Sequence, residues 1–139
     1  MSNNLPDFGD LVSDSDYSYY AALTLQLWKK FTGLRHALAQ NHGIDPYELW
    51  VRSMDLINLT DLLKLYLPNS LHNSDRTPAT STTNASYNLL VAEHALERLQ
   101  EKLAIEDSPN SQELWCIWNF MHENLIILSE TLKLQAFGN

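Results

Sequence analysis

Apolar residues recur along most of this chain at steps of three and four. Between Ser15 and Gln40, the residues Tyr17, Tyr20, Leu23, Leu27, Trp28, Phe31, Leu34 and Leu38 gather on one side of a helix, with Gln26, Lys29, His36 and Gln40 opposite. The pattern predicts one long amphipathic helix stopped by Gly43. A second start follows at once. Asp45-Pro46-Tyr47-Glu48 offers an N-cap carboxylate, a proline at the first helical position and an acid in the first turn, where all three satisfy or complement orphan amides. The apolar residues of this second segment, from Leu49 to Leu67, spread around too much of the surface for a single stripe. Because Asn58-Leu59-Thr60-Asp61 offers a fresh cap, the segment is read as one helix or as two short ones with a bend, ending before Pro68.

Residues 68–86 are rich in Ser, Thr and Asn and are read as a long flexible loop. Leu89, Ala92, Leu96, Leu99 and Leu103 mark a third helix that ends near Asp107, with Glu93, Glu97, Arg98, Glu101 and Lys102 on its outer face. The fourth opens at Ser108-Pro109 or Ser111 and runs to about Ala136. Its residues Leu114, Trp118, Met121, Leu125, Leu128 and Leu132 step 4-3-4-3-4, a heptad seam. A second stripe of Cys116, Phe120, Ile127 and Leu134 lies about 140° away from the first at 100° per residue. One face cannot hold both, so this helix either has neighbours on two sides or offers one stripe to another chain.

Composition agrees with long helices, since only four glycines and five prolines punctuate 139 residues. The expected fold is an all-α, up-and-down bundle of four long helical segments. It spans residues 15–139 as one domain, with an acidic arm over residues 1–14. Charge narrows the function classes. Seventeen acids face nine bases, for a net charge of −8, so a broad basic face for nucleic acid is not expected. Lys29, Lys30 and Arg35 form only a small cluster. The single cysteine, Cys116, excludes an internal disulfide and a multi-thiolate metal site and suits a reducing compartment. Met1 to Ser18 carries four aspartates and no apolar run, unlike a signal peptide, and apolar runs such as Leu125 to Leu128 are far below a membrane span. A cytoplasmic protein without membrane association is expected.

Candidate chemistry is sparse. No Glu-x-x-His pair is present, and Glu93-His94 and His122-Glu123 point about 100° apart on their helices, so neither a metal nor a cofactor is expected. Cys116, within Leu114-Trp115-Cys116-Ile117-Trp118, is read as an inert thiol packed in a helix interior. One spacing carries a catalytic alternative. Arg35 and His42 lie seven positions apart near the end of the first helix, close to two full turns, where an imidazole and a guanidinium together suit phosphodiester chemistry. This pair resembles the Arg-x(4–6)-His motif of the HEPN-superfamily ribonucleases, which are helical bundles of comparable size. The resemblance covers eight residues and implies Arg35 and His42 as catalytic groups. It departs from the family, where the motif tends to sit late in the domain and a polar residue often follows the arginine, in sitting early in the chain and in having His36 after Arg35.

The sequence favours an interaction function over that alternative. The expected activity is that of a small helical adaptor that binds a protein partner or itself, a dimer first, through the last helix at Cys116, Phe120, Ile127 and Leu134. Trp115, on the border of the polar face, is expected to anchor that contact. An acidic inhibitor mimicking nucleic-acid charge is a remoter possibility of the same class.

Overall fold

The computed structural model describes residues 14–40, 43–65, 84–105 and 110–138. They form four helices: α1 (Asp14–Gln40), α2 (Pro46–Lys64), α3 (Ala85–Ile105) and α4 (Ser111–Phe137). Each start has a local cause. Asp45 caps α2 by accepting from the Tyr47 amide at 3.1 Å, with Pro46 at the first helical position, while the Glu48 carboxylate accepts from Arg52 one turn on. Asn84 caps α3 by accepting from the Tyr87 amide at 2.9 Å, and Asn110 caps α4 by accepting from the Glu113 amide at 3.0 Å. At the far end of α4, Gly138 takes φ 74° and returns its amide to the Leu134 carbonyl, a conformation that favours glycine. α2 is continuous through Asn58, because Thr60 lies inside the bundle and bonds back to the Ile57 carbonyl instead of restarting the helix.

The all-α four-helix bundle is as expected. α1 packs beside α2 and α3, and α4 beside α2 and α3, so α1 and α4 lie on one diagonal and α2 and α3 on the other. Leu27, Phe31, Leu34, Leu56, Leu63, Leu96 and Leu99 fill the centre with the α4 seam, whose six residues are all buried. Thr24, Ser53, Thr60 and Ser129 are buried as well. Each donates its hydroxyl to the carbonyl three residues earlier, which satisfies a polar group without a partner on another helix.

The helix directions refine the up-and-down expectation. Within each hairpin it holds: Lys30 pairs with Asp55 between α1 and α2, and Arg98 and Lys102 reach Glu113 between α3 and α4. Between the hairpins it does not. Trp28 meets Gln100 and Arg35 meets Glu93, so α1 and α3 run antiparallel, and α2 and α3 therefore run parallel across the diagonal. Lys64, at the end of α2, lies over Trp115 near the start of α4, whereas Asn84, Ala85 and Ser86 line a hollow with Pro46 and Gln135 at the opposite end. The end of α2 and the start of α3 thus lie at opposite ends of the bundle, separated by about the length of the 19-residue α2, about 28 Å. A chain lacking residues 70–81 keeps six connecting residues, whose seven steps from Leu65 to Asn84 reach at most about 25 Å. It is expected to lose cooperative thermal unfolding. A sharp transition retained by circular dichroism would contradict the parallel arrangement. The loop expected at 68–86 ends earlier than its sequence suggested, since Ala85 and Ser86 already belong to α3.

Candidate functional site

Two stripes of opposite helices build one groove. On α3, Tyr87, Val91, His94 and Arg98 step 4-3-4 and so share a side; on α4, Glu113, Cys116, Ile117 and Phe120 face them. Antiparallel packing sets the two rows along an open groove of about 520 Å³. Tyr87, Val91, Ala95, Ile117 and Phe120 make its apolar part, and Arg98 with Glu113 its charged end. There Glu113 lies 3.0 Å from Lys102 and 3.7 Å from Arg98, so its charge goes mainly to the lysine. The Arg98 side chain, 61% exposed, keeps donors directed outward.

The second α4 stripe lies along this region. Phe120 and Leu134 are exposed at 37% and 60%, Cys116 is exposed, and Ile127 is half-buried. The seam faces the bundle centre, α2 and α3 flank it, and the second stripe is left over on the outer, α3-facing edge. Two expectations need correcting. Cys116 is not packed in a helix interior: Leu114, Trp115, Ile117 and Trp118 are buried around it, while its own direction is outward. It is expected to react fully with a small thiol reagent under native conditions, and protection until denaturant is added would refute the exposure. Trp115, expected at the surface, is only 2% exposed. It stacks on Trp118 at 5.3 Å, Trp118 stacks on His122 at 4.6 Å, and the Lys64 ammonium lies over both indoles. The side of α4 that seemed open is covered by the end of α2.

The Arg35–His42 pair is half visible. His42 lies outside the described residues. Arg35 donates to the Glu93 carboxylate, and Glu93 is buried with a side chain 3% exposed, not on the outer face where the helical pattern put it. Lys30 of the same basic cluster is paired with Asp55 at 2.9 Å. Among the described residues no three His, Cys, Asp or Glu side chains converge on a metal site, and no helix is long and apolar enough to cross a membrane. Comparison with protein-family models, with curated proteins and with solved structures returned no match.

The α3 row was legible in the 4-3-4 spacing of Tyr87, Val91, His94 and Arg98. In the sequence the third helix is read by its other row, Leu89 to Leu103, and nothing local says that the Tyr87 row lies beside α4.

Proposed function

We propose that this protein is a helical interaction module that seats an apolar, acid-bearing segment of a protein partner in the α3–α4 groove. The observation that carries the reading is the groove itself: exposed apolar side chains from two helices, at helical spacing, ending on an outward arginine. Such a surface suits an amphipathic partner helix, whose i, i+3, i+4 and i+7 side chains enter between the rows while a carboxylate meets Arg98. A single exposed thiol on the groove suits a reducing compartment such as the cytoplasm. The commitment of Arg35 to a buried carboxylate favours a structural clamp over phosphodiester chemistry at that position.

The reading is tested by selecting displayed helical peptides against the full chain. Enriched peptides should carry an apolar stripe with an Asp or Glu at one end. Val91→Asp or Phe120→Asp should weaken them by roughly thirtyfold or more with helix content unchanged, and Arg98→Glu should shift the selected acid to a base. Binders indifferent to all three changes, or no enrichment, would refute it.

A further inference from the structure

Among the described residues, the outward side of α2 carries apolar side chains that stay exposed along most of its length. At 100° per residue, Tyr47, Val51, Met54, Asn58, Leu62 and Leu65 fall within an arc of about 80°, and all six are exposed. Their steps of 4-3-4-4-3 average 3.6, so the stripe runs straight along the helix instead of winding around it. Phe137 of α4 extends it at one end, edge-on to Trp50 at 5.4 Å and to Tyr47 at 6.0 Å. This face also explains why the apolar residues of α2 overfill a single stripe: the buried set is Leu49, Leu56, Ile57 and Leu63, and the surplus points away from the bundle.

We infer that this face binds the same face of a second copy of the chain, antiparallel, about a two-fold axis at Asn58. Charge selects the occupant. Beside the stripe, Glu48 pairs with Arg52 at 2.6 Å and Lys30 with Asp55 at 2.9 Å, while on the other flank Asp61 lies 3.4 Å from His122 and Lys64 stands over the Trp115 and Trp118 rings. The rim therefore carries no net charge, although the chain carries −8. An acidic or a basic partner is selected by a rim of one sign; two copies of an acidic chain avoid repulsion only where they meet on a balanced face. Asn58 points the same way. It sits in the middle of an otherwise apolar row, and its amide, both donor and acceptor, is complemented by its own copy. With the axis there, Met54 faces Leu62 of the second copy and Val51 faces its Leu65.

The area suffices. Half-exposed aromatic and aliphatic side chains leave this face with on the order of 400 Å² of apolar surface. A standard interface of about 800 Å² per partner, somewhat over half apolar, needs about that much. This inference does not depend on the α3–α4 groove.

Sedimentation equilibrium of the full chain should give twice 15.9 kDa in the micromolar range. Val51→Glu with Leu62→Glu should raise the dissociation constant by at least about thirtyfold with the circular dichroism spectrum unchanged, because both residues point outward. Phe120→Asp, in the groove, should leave the dimer intact. In a Cys116→Ser background, Asn58→Cys should cross-link as a dimer on mild oxidation. A monomer up to millimolar concentration, a dimer that survives the double glutamate change, a dimer lost with Phe120→Asp, or no cross-link through position 58 would each overturn it.

Discussion

Trp118→Ala is expected to lower the unfolding free energy by about 3–5 kcal/mol, read as a fall in the urea midpoint at unchanged slope. The size follows from what this side chain joins. Its indole is 2% exposed in the α4 seam, donates to the Thr60 carbonyl of α2 at 2.9 Å, and lies between Trp115 and His122 with Lys64 above. Truncation therefore opens a cavity and removes a polar tie between the two hairpins at once. Trp118→Phe separates the two effects. It keeps an aromatic ring in the stack and loses the donor, and should cost less, about 1–2 kcal/mol. A loss under about 1 kcal/mol for Trp118→Ala would mean that the α2–α4 contact is not held there.

Arg35→Met is expected to cost about 2–3 kcal/mol, more than Glu93→Gln. The arginine change leaves a carboxylate buried between α1 and α3 without its cation. The glutamine change removes the charge that needs compensation and keeps a hydrogen-bond acceptor for the guanidinium. The effect is set below that of a fully buried pair because the Arg35 side chain is 45% exposed and solvent screens part of the attraction. Combining both changes should cost less than the sum of the two, since each removes the same interaction. Strict additivity in denaturant unfolding would show that the pair does not couple α1 to α3.

The α4 seam, the caps at Asp45 and near Ser111, and the stop at Gly138 follow from local chemistry, and their positions in the fold match the sequence pattern closely. The groove was legible by halves. Cys116 and Phe120 stand out from the α4 pattern because they sit opposite the seam, but their neighbours lie on the preceding helix, far from them along the chain, and leave no mark beside them. Glu93 shows the converse. A glutamate among Glu97, Arg98 and Glu101 has the appearance of a solvated face, and only the approach of Arg35 from α1 makes its burial tolerable.

Four amphipathic helices, their ends and the excess of apolar surface on α2 and α4 are properties of the sequence alone, because helical period and capping act over a few residues. Which of those surfaces is covered is a tertiary decision. Trp115 disappears beneath the end of α2, and Cys116 emerges on the groove one residue later. Successive residues on a helix point 100° apart, so the placement of a neighbouring helix settles which one meets solvent.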